Sequence, residues 1–400
     1  MNLVKRGIVI WLIRYLNSRS KNCNLFLVQN NKNNKNNKNN KNNKNNIYIN
    51  IYNKKFYGNM INKGTIGLAQ SYAKGMIDFS NIYDALYFFA QNIKKVKKFE
   101  YFSYPYNSIN KIKYLLKEKN SLKQSKNNII SHYDIDNNFF KMFLDPTMMY
   151  SSGIFKSDAD TLEKASKRKL EKICDFLEEE NKSSFHALEI GSGWGGFVEH
   201  FTKRFQNSKV TTTTISNEQY SYIQSKNIDK QKINLLKEDY RNLTGKYDHI
   251  ISIEMIEAVG SSYYKVFFKK IDDLLKINGK LIIQAILIND KDFKKTKHKV
   301  DFIKKYIFPG GCLPSLEIIK KITDKYTNLE LINTLDITKS YEKTLMSWHN
   351  NFINNKQTFI KRGFSEEFLR MWEFYFCYCA IGFKVNHIFC KQLVFKKINL

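Results

Sequence analysis

The chain has 400 residues, of which 42% are hydrophobic, so it is long enough for one large domain or two of ordinary size with a substantial core. Its formal net charge of +29 attracts polyanions, either nucleic acid or an anionic membrane, although a codon usage that favours Lys and Asn would give the same excess. The charge is diffuse and accompanies no RNA- or DNA-binding module, so no nucleic-acid partner is expected. The six cysteines are scattered without a CxxC framework, which argues against a disulfide scaffold and a metal site.

The first 55 residues are interpreted as a disordered or targeting-like segment without a single acidic residue. Residues 5–16 form an apolar stretch interrupted by Arg14, shorter than the roughly 20 apolar residues of a membrane-spanning helix. The stretch therefore predicts a signal or transit peptide, with organelle targeting left open, or a helix on a membrane surface. Residues 30–46 repeat Asn and Lys and predict a disordered spacer, because they cannot bury apolar surface.

Two domains are predicted after this segment. Residues 56–130 indicate a small helical domain associated with lipid, because 64–92 carries apolar positions at helical spacing; a Lys-rich link follows at 111–128. Residues 131–400 open with an amphipathic helix at 158–181 and then alternate strands with helices of about 10–15 residues. This alternation predicts a parallel α/β sheet with helices on both faces.

Six stretches of the second domain predict strands. They are residues 185–190, 209–216, 233–239, 247–255, 280–288 and 388–397. The last of them is expected to pair at the edge of the sheet.

A glycine-rich turn follows the first of these strands. Gly191, Gly193 and Gly195 allow a tight turn and let a ligand approach the backbone beside a helix N-terminus. A dinucleotide-binding fold would also need an acid about 20 residues later for the ribose, and residues 211–216 contain none. Glu189, two residues before the turn, can instead meet an ammonium group such as that of S-adenosylmethionine. The alternative for Glu189 is a capping carboxylate.

Two further carboxylates, Glu254 and Glu257, stand where the predicted strand at 247–255 leaves the core. An ionised carboxylate is costly to bury unless it is paired or hydrogen-bonded. These acids are therefore expected to meet a cation or a proton.

Eight stretches together resemble the cyclopropane-fatty-acyl-phospholipid synthase and mycolic-acid methyltransferase family, in the family's order and spacing. They are SHYDIDNNFFKMFLDPTMMYSSGIF (131–155), LEIGSGWGGF (188–197), TTISNEQ (213–219), DYRNL (239–243), SIEMIEAVG (252–260), KYIFPGGCLPS (305–315), YEKTLMSW (341–348) and RMWEFYFCYCAIGF (370–383). The resemblance covers about residues 64–397.

The resemblance implies a class I methyltransferase fold: a Rossmann-like α/β domain with a seven-stranded, mostly parallel sheet and a small helical N-terminal domain. It implies transfer of a methyl or methylene group from S-adenosylmethionine to the cis double bond of an unsaturated phospholipid acyl chain. The carbocation formed would give a cyclopropane or a methyl-branched product. A cytoplasmic enzyme, peripheral on the membrane surface, is implied, with a homodimer among the assemblies left open.

The resemblance also implies a set of residues that contact S-adenosylmethionine. They are Tyr150, Ser151, Glu189, Gly191, Gly193, Gly195, Thr214, Ile215, Ser216, Gln219, Tyr240 and Arg241. Gln219 is implied at the ribose, and Tyr240 with Arg241 near the adenine. Without the motif, the last two would be interpreted as an ordinary surface pair.

By the same resemblance, Glu257 holds a bound bicarbonate that acts as the base, and Tyr341 is a second holder. Ser152 and Gln284 stand where many family members have Cys and His in contact with bicarbonate. Both keep a hydrogen-bond donor but offer no thiol or imidazole, so the ring-closing outcome stays open. Glu254 has no such role and is expected to be a capping or lid residue.

Three further features of the sequence also suggest functional roles. Cys379 matches a cysteine often named as an active-site residue in the family, with a buried helical thiol as the alternative. Residues 308–315 combine two glycines and two prolines and predict a hinge over a cleft. The aromatic stretches at 139–149, 302–308 and 371–383 are candidates for an acyl channel or for plain core.

Other functions stay open because a fold alone does not fix a substrate. The first is a class I methyltransferase acting on a small amine or another non-acyl acceptor. The others are a basic nucleic-acid-binding protein and a cofactor-binding protein that has lost turnover.

Overall fold

The computed structural model divides the chain into two compact units. It describes residues 2–18, 20, 23–29, 46–96, 136–178 and 184–399. The first unit is built from Met1–Lys117, His298–Tyr306 and Phe352–Val385, and the second from Glu118–Lys297, Ile307–Asn351 and Asn386–Leu400. The chain therefore passes between the units several times, whereas the sequence predicted single boundaries after residues 55 and 130.

The helices and strands are defined by the following bounds. The helices are α1 (Asn2–Asn17), α2 (Lys55–Ala73), α3 (Ile82–Gln91), α4 (Ile93–Val96), α5 (Asn137–Lys141), α6 (Leu162–Leu177), α7 (Gly196–Arg204), α8 (Asn217–Ser225), α9 (Ile256–Val259), α10 (Tyr264–Leu274), α11 (Asp290–Thr296), α12 (Phe302–Tyr306), α13 (Leu316–Tyr326), α14 (Thr338–Asn354), α15 (Lys356–Lys361) and α16 (Glu366–Lys384). The strands are β1 (Asn24–Gln29), β2 (Asn46–Ile51), β3 (Ile77–Phe79), β4 (His186–Ile190), β5 (Lys209–Thr213), β6 (Ile233–Leu236), β7 (Tyr247–Ile253), β8 (Leu275–Ile288), β9 (Leu329–Asp336) and β10 (Ile388–Lys397).

The first unit combines helices with a small sheet. Strands β1 and β2 pair in parallel, and β2 pairs antiparallel with β3. Helix α1 buries Val9, Leu12, Ile13 and Leu16, which recur at helical spacing. Parts of the segment expected to be disordered or targeting-like are therefore regular, and the domain expected to be helical contains a strand. The predicted spacer at 30–46, apart from its last residue, and the link at 111–128 lie outside the described residues.

A buried arginine ties the elements of the first unit together. Arg370 on α16 donates from Nε to the carbonyl of Tyr72 at 2.7 Å and from a terminal nitrogen to the carbonyl of Ile77 at 2.9 Å. Its guanidinium also lies 4.0 Å from the ring centroid of Tyr72. Planar hydrogen bonding and ring contact together satisfy a cation that would otherwise be costly to bury.

The second unit contains the predicted seven-stranded, mostly parallel sheet, in the order β6-β5-β4-β7-β8-β10-β9. The first five strands in that order pair in parallel, and β10 is antiparallel to both of its neighbours. The expectation that residues 388–397 form an edge strand is wrong, because β10 lies between β8 and β9. Strand β9 at the edge was not predicted, since only Leu329 among its residues is buried and the alternation is weak.

Helices cover both faces of this sheet, and each face has its own apolar core. One core joins α10 and α13 to β8 and β10 through Phe267, Phe268, Ile271, Ile319 and Leu393, all fully buried. The other joins α6 and α7 to β4, β5 and β7, with Ile173, Leu177, Phe197, Phe201 and Ile251 fully buried. The central strands are thus covered on both sides, as their continuous apolar sequences predicted.

The aromatic stretches contribute to the core of their own units. Phe302 contacts Phe374 and Tyr378 in the first unit, with ring centroids 4.9 and 5.6 Å apart. Phe140 and Phe143 are fully buried in the second unit. These contacts favour the plain-core alternative for much of 139–149, 302–308 and 371–383.

Candidate active site

The predicted site residues lie largely where neighbouring parallel strands end at one edge of the sheet. Strand β4 ends at Ile190 and leads into the glycine turn, β5 ends at Thr213, and β7 ends at Ile253 just before the two carboxylates. In open α/β sheets, ligands bind outside the carboxyl ends of the strands. The fold therefore gathers segments that are far apart in sequence at one place.

The glycine turn is open on the side where a ligand could approach. Gly191, Gly193 and Gly195 have φ angles of +92°, +52° and +79°, which favour glycine. A Cβ added at Gly193 would meet no atom within 4 Å, whereas one at Gly191 would lie 3.1 Å from Cγ of Met255. The turn thus lies against the segment that carries the carboxylates, and it leads directly into the N-terminus of α7.

The loop after β5 is held by its own side chains. Thr214 donates from Oγ1 to Oε1 of Gln219 at 2.8 Å, and Oγ of Ser216 accepts from the backbone N–H of Gln219 at 3.3 Å, which caps α8. Ile215 is half-buried between them. These bonds fix the carboxamide of Gln219 at the same edge of the sheet.

Tyr240 and Arg241 are better fixed than an ordinary surface pair. The Tyr240 ring is buried, burial raises the pKa of its phenol, and its hydroxyl has no hydrogen-bond partner among the described residues. Arg241 binds Asp239 through two nitrogens, Nε to Oδ1 at 2.8 Å and a terminal nitrogen to Oδ2 at 2.7 Å. A rigid guanidinium beside a buried phenol hydroxyl that has no partner among the described residues is suited to a planar, polar ligand.

Glu189 is buried at the end of β4 and does not cap a helix. Its Oε2 accepts from Oγ1 of Thr212 at 2.6 Å, across the β4–β5 pair. Burial raises the pKa of Glu189 to about 8, and both that hydrogen bond and the nearby Lys169 charge oppose the rise. A cationic ligand would favour the ionised form of this carboxyl.

Glu254 is the point on which the polar groups of the site converge. Its Oε1 accepts from the backbone N–H of Ser152 at 2.9 Å and from Nε2 of Gln284 at 2.8 Å. Its Oε2 accepts from the hydroxyl of Tyr341 at 2.5 Å, and the thiol of Cys390 lies 3.6 Å from Oε1. The residues predicted to surround an anion therefore surround a carboxylate of the protein.

The backbone at Glu254 is strained. Its φ of +50° lies in the left-handed region, which costs a non-glycine residue on the order of 1 kcal/mol or more. Its N–H donates to the carbonyl of Gln284 at 2.7 Å. Retention of a carboxylate at a position that suits glycine points to a role beyond stability.

Glu257 lies beside this cluster without sharing its donors. Its Oε1 accepts from the backbone N–H of Ile286 at 2.5 Å, while its Oε2 is buried and has no hydrogen-bond partner among the described residues. Burial, followed by the charge of Glu254, raises the pKa of Glu257 to about 8. The protonated form of Glu257 is therefore favoured at neutral pH. Tyr341, the second residue implied to hold bicarbonate, donates to Glu254.

The segment predicted as a hinge is tied to the same place. Cys312 donates from its backbone N–H to the carbonyl of Glu257 at 2.8 Å, and Ile288 donates to the carbonyl of Pro314 at 2.9 Å. Gly310 has a φ of +81°. The glycines and prolines thus form a turn that contacts the backbone around the carboxylates.

Lys169 is a site residue that the sequence reasoning did not single out. It lies on α6, is fully buried, and donates from Nζ to Oγ of Ser151 at 2.7 Å. Burial lowers its pKa to about 8. Its position four residues after Ala165 and four before Ile173, on the apolar face of the helix, is the signal that could have revealed it.

An aromatic cluster adjoins the Glu254 carboxylate. The ring of Tyr341 lies 6.2 Å from that of Trp348, which lies 5.1 Å from that of Tyr150. Phe140 contacts both Tyr150 and Trp194 of the glycine turn, at 5.5 and 4.6 Å. Aromatic faces therefore continue from the glycine turn to the carboxylate, where they can stabilise a cation.

The family follows from comparison with known proteins. A model of the family described as mycolic acid cyclopropane synthetase matches residues 120–393. This chain belongs to that family. The tuberculostearic acid methyltransferase UfaA1 of Mycobacterium tuberculosis is 34% identical over 277 residues, which are 66% of this chain and 64% of that protein, so the chain spans a little under two thirds of it. The cyclopropane-fatty-acyl-phospholipid synthase of Escherichia coli K12 is 32% identical over 353 residues, 87% of each chain.

Solved structures agree with this assignment. The cyclopropane synthase MmaA2 from Mycobacterium tuberculosis superposes with a TM-score of 0.61 at 25% identity, and the mycolic acid cyclopropane synthase CmaA1, complexed with SAH and CTAB, with 0.62 at 26%. Each covers 68% of this chain and 98% of that structure. The chain is a class I, S-adenosylmethionine-dependent methyltransferase of the cyclopropane synthase type, and the family and fold predicted from sequence are confirmed.

The described contacts of this family member do not fit a bound bicarbonate. Ser152, Gln284 and Tyr341, the groups that the resemblance assigns to that anion, already donate to Glu254. The backbone N–H of Ile286 donates to Glu257. A second anion would compete with Glu254 for these donors, and the negative charge of Glu254 beside it disfavours its binding.

Cys379 lies on α16, in the first unit. Burial raises the pKa of the Cys379 thiol, so it stays protonated at neutral pH. A protonated thiol of this kind fits the helical-core alternative.

Proposed function

We propose that this methyltransferase acts on the cis double bond of an unsaturated phospholipid acyl chain, with Glu254 as the proton acceptor. The observation that carries the proposal is the position of the Glu254 carboxylate, which accepts hydrogen bonds from three residues that the family resemblance assigns to bicarbonate, in the case of Ser152 from its backbone N–H. A built-in carboxylate would replace the external base. The lipid acceptors named in the relatives from Mycobacterium tuberculosis and Escherichia coli support the acyl substrate.

The chemistry requires a base next to a developing cation. When bound, S-adenosylmethionine supplies an electrophilic methyl group on a positively charged sulfur. Formation of the new C–C bond from the alkene pair leaves a carbocation on the acyl chain. A proton must then leave the transferred methyl group, and the C–H electron pair either closes a cyclopropane ring or, after a hydride shift, forms a methylene branch. Glu254 accepts that proton in both cases.

The contacts of Glu254 suit this role. Burial raises its pKa, while hydrogen bonds from Tyr341, Gln284 and the Ser152 backbone oppose the rise and favour the charged form. A fixed carboxylate in a water-poor site stabilises a nearby positive charge far more than it would in water. Protonated Glu257 adds no second negative charge that would compete for the proton.

The cofactor would be held at the carboxyl edge of the sheet. The open turn at Gly193 would admit its methionyl part beside the N-terminus of α7, and Glu189 would favour its cationic groups. Gln219 would contact the ribose, with Tyr240 and Arg241 near the adenine.

Lipid mass spectrometry after expression in bacteria with unsaturated phospholipids tests the proposal. Wild type should add the mass of one CH2 to monounsaturated acyl chains, and fragmentation should separate a ring from a methylene branch. Glu254→Gln should abolish the gain, while Glu330→Gln, an exposed position on β9, should not. Unchanged lipids with wild type that still binds S-adenosylmethionine would favour a non-acyl acceptor or a protein without turnover.

We further propose that the protein docks peripherally on anionic membranes through the outer face of α1. Leu3, Val4 and Trp11 are 80%, 67% and 55% exposed, next to Lys5 and Arg14, in a region without acidic residues. Apolar side chains flanked by basic ones are typical of helices that lie in a membrane interface. Among the residues described by the structure, no helix has the length and apolarity needed to cross a bilayer.

A further inference from the structure

We propose that Lys169 is a positioning residue whose buried ammonium group fixes Ser151 and keeps the Glu254 carboxylate in its charged form. The inference rests on the proposed role of Glu254 as proton acceptor. It concerns a residue on α6 that contacts none of the reacting atoms directly.

The ammonium group of Lys169 is placed among negative charges without a direct ion pair. Its Nζ has one hydrogen-bond partner among the described residues, Oγ of Ser151 at 2.7 Å. The side chain is fully buried, and a buried cation is costly unless compensated. The carboxylates of Glu254 and then Asp145 compensate it electrostatically. Removal of the cation therefore changes the electrostatic balance at Glu254.

The segment that contacts the Lys169 cation is itself fixed to α6. Ser151 precedes Ser152, whose backbone N–H donates to Glu254, so the Lys169–Ser151 bond lies one residue from the donor to the carboxylate. Asp145, in turn, accepts from Oγ of Ser166, one turn before Lys169 on α6. The segment 145–152 is thereby anchored to α6 at two points.

Several titratable and polar groups face Glu254 from the surrounding elements. They are Ser152 before α6, Lys169 on α6, Glu257 on α9, Gln284 on β8, Tyr341 on α14 and Cys390 on β10. Lys169 is the cation of this set. Burial disfavours the charged form of Glu254, and the Cys390 thiol stays protonated because burial raises its pKa. The field of Lys169 therefore adds to three neutral hydrogen bonds in keeping Glu254 ionised.

Lys169→Met keeps the length and removes the charge, so the acidic limb of the kcat/KM profile should move to higher pH. We expect a shift of at least about one pH unit, which lowers activity by up to about tenfold on the acidic limb itself. The variant and wild type should converge above pH 8, because Lys169 itself loses its charge there. Lys164→Met, an exposed position on the same helix, is the matched control. A loss that is uniform across pH would mean a merely structural role and overturn the inference.

Infrared difference spectra of the lipid-free protein give a second readout. The carboxyl band that disappears in Glu254→Gln reports the titration of Glu254. Lys169→Met should move that titration to higher pH, with Lys169→Gln as the replacement if the Met variant does not fold. An unmoved titration overturns the inference whatever the lipid activity. A moved titration, with Glu254→Gln still turning over lipid, overturns the proposed function and leaves the Lys169–Glu254 coupling in place.

Discussion

At the scale of single residues, the two carboxyl groups after β7 are expected to differ in importance. Glu254→Gln removes the charge that three donors surround, so turnover should fall by at least about 10²-fold, the scale of one positioned catalytic group. Glu257→Gln mimics a carboxyl that is already protonated, so it should lose less than about tenfold. Lipid methylation, with folding checked by thermal melts, measures both. A larger loss in Glu257→Gln would mean that Glu257, the residue implied by the family resemblance, carries the catalytic role.

Removal of the Glu254 side chain should recreate an anion site. The φ of +50° suits glycine, so Glu254→Gly should relieve strain and free the donors from Ser152, Gln284 and Tyr341. Added bicarbonate should then restore at least about a tenth of the lost turnover, whereas wild type should be insensitive to its depletion. The assay is lipid methylation in carbonate-free buffer with bicarbonate titrated back. Wild-type dependence on bicarbonate would contradict the built-in base.

Glu257 should also leave a signature in the pH dependence of stability. Its pKa is raised from 4.5 to about 8, so between those values the folded protein keeps a proton that the unfolded chain has lost. Stability from this group therefore declines as pH rises through that window. Relative to wild type, the free energy of unfolding of Glu257→Gln should increase by at least about 1 kcal/mol from pH 5 to pH 8. Urea titrations at both pH values measure it, and a pH-independent difference would show an ordinary pKa.

At the scale of the elements, the proposed binding of S-adenosylmethionine at the glycine turn can be distinguished from an effect of backbone strain. Gly193→Ala places a methyl group in the space through which the ligand is expected to approach, at a φ of +52°. Gly363→Ala carries similar strain, at +90°, and also meets no atom within 4 Å, but it lies far along the chain in the first unit. By calorimetry, affinity for S-adenosylmethionine should fall at least about tenfold in the first variant and stay unchanged in the second. Equal effects would mean that strain alone explains the loss.

The elements also show how far sequence reasoning reaches. Strands β4 and β7 were predicted because strands buried on both faces have continuous apolar sequences. The glycine turn was predicted because a tight turn needs positive φ angles, which glycine adopts without strain. Strand β9 was missed because its side chains are mostly exposed. The position of β10 was wrong, because strand order depends on pairing between segments about a hundred residues apart, which no local pattern reports.

The role of Glu254 lay beyond local patterns for the same reason. Its partners Ser152, Gln284 and Tyr341 are separated by up to 189 residues along the chain, and they meet only through the pairing of Ile253 with Gln284 and the placement of α14. A motif compares each position with a family. It does not report which side chains from distant segments meet at one carboxylate.

At the scale of the whole molecule, α1 is expected to govern binding to membranes. The sequence placed lipid association in 64–92, but α3 there buries Ile82, Leu86 and Phe88, whereas α1 exposes its outer face. Val4→Ser with Trp11→Ser should reduce the fraction bound to anionic vesicles about threefold or more. Binding of wild type should also weaken as salt rises, since each basic residue contributes about 1 kcal/mol at low ionic strength. Co-sedimentation measures both.

Ile360→Ser, an exposed apolar position on α15, is the matched control for that experiment. Equal losses in the control would indicate a general effect of exposed apolar surface. Binding that ignores lipid charge and salt would remove the proposed docking surface.

The placement of β10 has a consequence for the newly made chain. Ribosomes build the polypeptide from its N-terminus, so β8 and β9 emerge before the strand that must enter between them, and within the sheet β9 pairs with β10 alone. Until residues 388–397 leave the ribosome, both strands present unpaired edges, which are sites of aggregation. Cys390 on β10 reaches Glu254 in the same step. Insertion of this strand therefore closes the sheet between β8 and β9 and completes the surroundings of the Glu254 carboxylate, which cannot happen before residues 388–397 have been made.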